Sequence, residues 1–446
     1  MRRKNNELKI VYQFAFTFVI PAYRDKFYCM AIFFYNIFLL LYQAGIGIAS
    51  LWNNKAKLWI EGRKNIFDRL RTELLTPNSN LIWFHCSSLG EFEQGRPVME
   101  NLRKQIPNSK FLLTFFSPSG FEIRKDYKGA DWVFYLPLDS GKNAKRFFDI
   151  INPSLVIFVK YDYWYYYLTE CKKRNIPLLL ISGIFRQDQP FFKWYGNLHR
   201  KMLNCITHFF VQDKESYDLL KSININDVTI AGDTRFDRVS EIAENFKHIE
   251  EIEKFCGSSQ VLVAGSTWPD DEKIIKEASN NLPNLKIIIA PHEIHKDHID
   301  QLRSIFPDAI LYSQLLAQSS QLINSNILII NNIGMLSRLY HYGTVTYIGG
   351  GFNKGIHNTL EAAVHGKPVL FGPNYKKFKE AIGLIETSGG VCVNSSTELT
   401  SQLKRLLTNK DVLESTSKNS FDFVNQNKGA TEKILHYIKA NLLLTN

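Results

Sequence analysis

At 446 residues the chain is longer than one hydrophobic core ordinarily serves, and its 45% hydrophobic and 22% charged content excludes a largely disordered or low-complexity protein. The formal charge of +11 is uneven: residues 1–75 hold twelve Lys or Arg against five Asp or Glu, and these charges flank an apolar run, which fits an anionic membrane surface and argues against nucleic acid. Six cysteines (Cys29, Cys86, Cys171, Cys205, Cys256, Cys392) stand far apart, with no C-x-x-C pair and no zinc-finger spacing, and read as reduced thiols.

Residues 1–29 open with Arg2, Arg3 and Lys4 and an apolar run that ends at Pro21, like a signal peptide without a small-residue cleavage site. They read as an extension ahead of Met30, a second candidate start. Residues 30–55 read as a membrane-anchor helix, because Ala31 to Trp52 is long enough to cross a bilayer core and carries only Asn36 and Gln43 as strongly polar side chains. The alternative is a buried or interfacial helix. Lys55, Lys57, Arg63 and Lys64 follow the run while Arg24 and Lys26 precede it, which places the downstream body on the cytoplasmic side.

From Leu81 onward short apolar runs alternate with amphipathic stretches: LIWFH, FLLTFF, WVFYL, SLVIFV, PLLLIS and HFFVQ. Runs that are apolar on both faces, such as Leu155 to Val159, belong in a parallel sheet covered by helices. The pattern falters over Asp237 to Cys256 and restarts with VLVAGS, LKIIIAPH, ILIINN, VTYIGG, PVLFGP and GVCVN. Two Rossmann-like domains are expected, over 56–245 and 246–446, with a ligand cleft at the carboxyl ends of their sheets.

HCSSLGE, from His85 to Glu91, follows a strand and opens a helix, so Ser87, Ser88 and Gly90 form a turn suited to an anionic or sugar group. Glu91 in the first helical turn either complements the helix dipole or accepts the proton of an attacking hydroxyl. SPSG, from Ser117 to Gly120, repeats that strand-to-helix geometry beside it, with hydroxyls and a glycine suited to acceptor contacts or to plain turn chemistry. KYDYWYYY, from Lys160, sets Asp162 among aromatic rings after another buried strand.

In the second half, GGGFNKGIHNTLEAAVHGKPVLFGP combines glycines at 349–351 and 355 with a helix start, a nucleotide-sugar signature. Asn358 and Glu361, three apart on one helical face, suit phosphate and ribose hydroxyls, while His357 and His365 lack partners for a metal set. Two further loops at strand ends complete the expected pocket, GSTWPDDE from Gly265 and the helix start at Ile333, Gly334 and Met335, whose apolar side chains suit packing on the sheet; Pro291 and His292 sit similarly.

These loops resemble the transferases of 3-deoxy-D-manno-octulosonic acid (Kdo). SSLGE is similar to their S-x-G-E, SPSG to T-P-T-G, GDTRFD to G-x-x-K/R-F-D and HNTLE to H-N-x-L-E, in order from about Met30 to the C-terminus. The resemblance implies a GT-B fold and inverting transfer, without metal or cofactor, from CMP-Kdo to a lipid A precursor at the inner membrane. By position it implies Glu91 as base, Asp162 and Arg235 as stabilisers of transition-state charge, and Pro291, His292, Ile333, Gly334, Met335, Asn358, Thr359, Leu360 and Glu361 as CMP ligands. Ser87, Ser88, Gly90, Ser117 and Gly120 complete the substrate-binding set. Lys160 stands where the family usually has an acidic residue, and His292 where it has arginine. A UDP-dependent transferase acting on a lipid, and a non-catalytic scaffold on the same fold, are the competing readings.

Overall fold

The computed structural model describes residues 20–74, 80–160, 162–317 and 325–441, with side chains from Cys29 onward. Most of the expected extension, residues 1–19, lies outside the described residues, as does Tyr161.

The chain forms two compact units, one of residues 1–234 with 429–446 and one of residues 235–428. The first holds a parallel sheet of β1 (Leu81–Cys86), β2 (Lys110–Phe115), β3 (Trp132–Tyr135), β4 (Leu155–Val159), β5 (Leu178–Gly183), β6 (His208–Val211) and β7 (Val228–Ile230), in the order β3-β2-β1-β4-β5-β6-β7. The second holds β8 (Val261–Thr267), β9 (Lys286–Pro291), β10 (Ile310–Leu311), β11 (Ile327–Ile329), β12 (Val345–Ile348), β13 (Val369–Phe371) and β14 (Gly390–Cys392), in the order β10-β11-β9-β8-β12-β13-β14. All the pairings are parallel.

The two-residue side-chain period of a strand explains why the central runs are apolar throughout. Trp83, Val156 and Phe158 enter a core on one face of the first sheet, and Ile82, Phe84, Leu155 and Ile157 enter a core on the other. In the second sheet Val261 and Val263 face one core while Leu262 and Ala264 face the other. β7 and β10 go beyond the strands expected from apolar runs. They are three and two residues long and lack fully buried side chains, so neither has the apolar signature of a central strand.

The division between Thr234 and Arg235 lies upstream of the expected boundary near residue 245, and the C-terminal residues 429–446 return to the first unit. The reason is an amphipathic helix, Ala430–Asn441, that packs on the helix Leu89–Gln105. It inserts Ala430, Ile434, Leu435 and Ile438 into the core beside β1 and β4. Each such aliphatic side chain removed from water contributes about 1.5–3 kcal/mol.

The apolar N-terminal segment is a helix, Ile20–Ala49, of which Cys29–Ala49 is long and apolar enough to cross a membrane. One side docks on the body. Tyr35 donates to Asp139 at 2.6 Å, Tyr166 donates to Asn36 at 2.8 Å, and Leu39 is buried. Tyr42 stacks on Phe116 and meets Trp59 edge-on. Phe33, Phe34, Phe38, Leu40 and Leu41 remain exposed.

Candidate active site

Each sheet reverses its strand order beside its first strand, and such a switch point leaves a crevice at the carboxyl ends of the two central strands. In the first unit those strands are β1 and β4, which carry His85 to Ser88 and Lys160 to Asp162. Ser88 is the N-cap of the helix Leu89–Gln105, and its hydroxyl donates to the Glu91 carboxylate at 2.6 Å, so Glu91 is held back toward the loop by its own first turn. Ser87 donates to Asp162 at 2.5 Å. The other Asp162 oxygen lies 3.0 Å from His85 Nε2, within ion-pair reach but outside hydrogen-bond alignment. The opposite ring nitrogen of His85 contacts the Thr114 hydroxyl at 2.8 Å.

Burial pushes the Glu91 carboxyl above its ordinary range. The Ser88 hydrogen bond opposes that shift, and the Asp162 charge adds to it. Lys160, at the turn out of β4, has a φ of 71°, a left-handed conformation that costs a non-glycine residue about 1–2 kcal/mol. Ser117 caps the helix Pro118–Arg124, and its N–H donates to Ser87 O at 2.8 Å, which ties the SPSG loop to the Glu91 loop. A Cβ on Gly120 would stand 2.3 Å from the Phe115 ring and 3.1 Å from Ser88 main chain. Gly120 is therefore needed for close packing of the two loops. Cys86 is fully buried and its thiol is pushed up by desolvation, which makes it a core residue.

In the second unit the switch point lies between β8 and β12. The buried Asp271 accepts the N–H of Gly350 at 2.8 Å, the N–H of Trp268 at 3.0 Å and the Tyr347 hydroxyl at 2.7 Å, so one carboxylate fastens the glycine loop to the end of β8. The glycines expected to admit a ligand admit neighbouring main chain instead. A Cβ on Gly349 would meet Ser266 O at 2.2 Å, one on Gly350 would meet Gly355 O at 2.4 Å, and one on Gly351 would meet Gly372 at 2.5 Å.

Above this loop the His292 ring stacks between Trp268, at 4.8 Å, and His357, at 4.3 Å. Trp268 Nε1 donates to His357 Nε2 at 3.1 Å. Indole is a donor only, so His357 is a neutral ring with its proton on Nδ1. Burial and the neighbouring His292 pull its pKa down to about 4. Asn358 donates to Glu361 at 3.0 Å and accepts the Leu360 N–H at 3.2 Å, and Thr359 is buried. Among the described residues no three His, Cys, Asp or Glu side chains gather as metal ligands.

Residues 63–238 match the family model of the 3-deoxy-D-manno-octulosonic-acid transferase N-terminal region. A Kdo transferase of Rickettsia typhi is 26% identical over 378 residues, covering 81% of this chain and 79% of that protein. One of Chlamydia trachomatis serovar A is 25% identical over 374 residues, covering 81% and 86%. The resemblance read from the loops thus extends over both units. The chain is similar to Kdo transferases over most of its length. Among solved structures, a UDP-GlcNAc 2-epimerase of Neisseria meningitidis bound to UDP-GlcNAc superposes with a TM-score of 0.58 at 16% identity, covering 81% of this chain and all 100% of that one. A glycosyltransferase of Rickettsia africae gives 0.54 at 15% identity, covering 83% and 100%. These likenesses show the fold, two Rossmann-like units of the GT-B type.

Within this Kdo transferase relative, the expected residues separate by unit. Glu91, Ser87, Ser88, Ser117, Gly120 and Asp162 come together at the first switch point. In the second unit five of the expected residues take the following places. Arg235 is not a free cation: its guanidinium grips Glu380 in bidentate fashion at 2.8 and 3.2 Å. Burial lowers the pKa of His292, so at pH 7 it offers a neutral ring and not a positive charge. Met335 and Leu360 are core side chains, which leaves only their main chain for a ligand. Ile333 is 84% exposed, beside Gly334 with its φ of 93°.

The Ser87–Asp162–His85 chain escaped sequence reasoning, and GSTWPDDE was placed in the pocket without a role for Trp268 in the aromatic stack or for Asp271. The Trp-Pro-Asp-Asp start of a helix, with an acid three residues after the N-cap, is the capping pattern that points to Asp271. Replacing Arg235 with alanine leaves a carboxylate 5% exposed without its partner and is expected to cost about 3–5 kcal/mol. Chemical denaturation should register that loss. An unchanged unfolding midpoint with lost activity would instead make Arg235 a reaction residue.

Proposed function

We propose that the protein transfers Kdo from CMP-Kdo to a hydroxyl of a lipid A precursor, with inversion, at the cytoplasmic face of the inner membrane. The observation that carries this reading is Glu91, a carboxylate with a raised pKa, oriented by Ser88 beside the buried Asp162 carboxyl group. A base of that kind accepts the proton of the attacking hydroxyl as its oxygen bonds to the sugar and the bond to CMP breaks. Asp162 suits the positive charge that develops on the sugar ring, and Ser87 and His85 hold it in place.

For the nucleotide we assign the second unit's switch point. The Trp268–His292–His357 stack offers ring faces beside the loop braced by Asp271, and the linked Asn358 and Glu361 offer an amide and a carboxylate to phosphate and ribose. The exposed aromatic and aliphatic face of the helix Cys29–Ala49 supports attachment to a membrane.

Two measurements test the reading together. Incubation with CMP-Kdo and lipid IVA should add Kdo, detected by mass. Calorimetry should show CMP binding at least about tenfold tighter than UDP, a difference of about 1.4 kcal/mol. Preference for UDP would favour another nucleotide-sugar enzyme. CMP binding without any transfer would favour a scaffold.

A further inference from the structure

A pocket of about 520 Å³ lies where the apolar helix meets the body of the first unit, and none of the residues assigned above to the reaction lines it. Gln43 and Gly47 of the helix form one wall, and Arg63, Lys64, Asn143 and Arg146 of the body form the others. Its volume suits a small polar ligand. Its charge is the distinctive feature.

Arg63 spends its guanidinium on three main-chain carbonyls, of Leu136, Trp59 and Phe116, at 2.8, 3.0 and 2.7 Å. Among the described residues no carboxylate pairs with it, and desolvation pulls it down only to about 9, so it stays charged at neutral pH. Arg146 lies over the Phe67 ring at 4.3 Å, and its buried Nε has no hydrogen-bond partner. The one acid on the rim, Asp68, reaches Arg146 at 3.4 Å and Arg71 at 3.5 Å, and its side chain is 70% exposed, so it neutralises the pocket weakly. Lys64 projects from the same wall with no ion pair among the described residues.

The apolar surface continues from this cationic pocket. Leu40 stands three residues before Gln43 and so on the same flank of the helix, with Leu41, Phe38, Phe34 and Phe33 exposed farther along. A cationic recess joined to a strip of exposed aliphatic and aromatic side chains matches a molecule with an anionic head and a hydrocarbon tail. A guanidinium favours phosphate oxygens, which it can meet in a fork once the exposed Asp68 gives way.

We propose that this pocket binds the phosphate head of a membrane lipid, with the lipid's acyl chains lying along the exposed face of the helix. Lys64 and the Arg146 guanidinium contact the phosphate, Asp68 gives way, and Arg63 supplies fixed positive potential from behind. The site makes the helix a lipid-clasping element docked on the body in place of a plain anchor.

The test uses the full chain and vesicles of phosphatidylcholine containing either phosphatidic acid or phosphatidylserine at matched surface potential, with inorganic phosphate as a soluble competitor. The native protein should prefer the phosphatidic acid vesicles by about tenfold, the worth of one charge-assisted hydrogen bond. Gly47→Phe plugs the pocket without changing charge, and a Cβ there meets nothing within 4 Å, so the helix should tolerate it. That variant, and separately the double variant Lys64→Gln with Arg146→Gln, should bring the preference to about one, with Gly47→Phe still binding both anionic vesicles. Equal binding of both vesicles by the native protein would overturn the proposal. So would a preference that survives the plug, or full competition by inorganic phosphate at the lipid's own concentration.

Discussion

Glu91→Gln should lower Kdo transfer by about 10²–10⁴-fold while leaving CMP affinity within about twofold, because a positioned general base contributes that much and the nucleotide is assigned to the other unit. Single-turnover assays beside calorimetry separate the two quantities. The substitution should not unfold the protein. Burial already works against the ionised form of Glu91, so removing its charge takes away little of the folded state's stability: the hydrogen bonds from Ser88 and the weaker pull of His85.

The pH profile gives an independent check. The base acts ionised, so activity is present above its folded-state pKa and is lost as pH falls through it. Burial raises that pKa, which places the acid limb above the usual carboxylate range. Ser88→Ala removes the hydrogen bond that restrains the rise, and should move the acid limb to still higher pH with a smaller loss at the plateau. A limb that stays in place would show that some other group limits the rate. Retained turnover in Glu91→Gln would remove Glu91 from the chemistry altogether.

Asp271→Ala should be the most damaging change in the second unit. It strands the Gly350 N–H and the Tyr347 hydroxyl, both in buried residues, and frees the Trp268 N–H as well. Unsatisfied buried donors cost about 1–3 kcal/mol each, so a loss of about 3 kcal/mol or more is expected, together with weakened CMP binding as the glycine loop loses its brace. Calorimetric unfolding should show a drop of several degrees. Asp271→Asn should recover part of the stability by keeping an acceptor oxygen in place. Wild-type melting of the alanine variant would mean that the loop is held by its glycines alone.

The fold was readable because its signals are local. Leu155–Val159 and Leu178 to Ile181 carry apolar residues on both faces, as strands buried between helices must, and each lies where it was expected. β10 was not readable, since two residues at a sheet edge carry no period. The candidate site was half readable for a related reason. Glu91 and Ser88 sit three apart on one helical turn, so spacing alone brings them together. Ser87 and Asp162 are 75 positions apart and meet only through the pairing of β1 with β4.

Composition also conveyed that the 349–351 glycines serve close approach, but not to what. Their neighbours are Ser266, Gly355 and Gly372, and only the folded backbone identifies them. The polar interruptions of the apolar helix followed the same logic. Asn36 and Gln43 weakened its membrane signature as sequence, and in the folded chain Asn36 docks it to the body while Gln43 lines the cationic pocket.

The return of Ala430–Asn441 to the first unit governs how the protein can be taken apart. The second unit is an insertion, entered once after Thr234 and left once before Gly429, so a fragment that holds it whole should span 235–428. A fragment starting near 246 and running to the terminus would discard Phe236 and Val239 from its own core and carry Ile434, Leu435 and Ile438 with nothing to cover them. Such a piece invites aggregation during purification, and trimming the last helix from the whole enzyme would wound the catalytic half at a distance of 300 and more positions along the chain from Glu91.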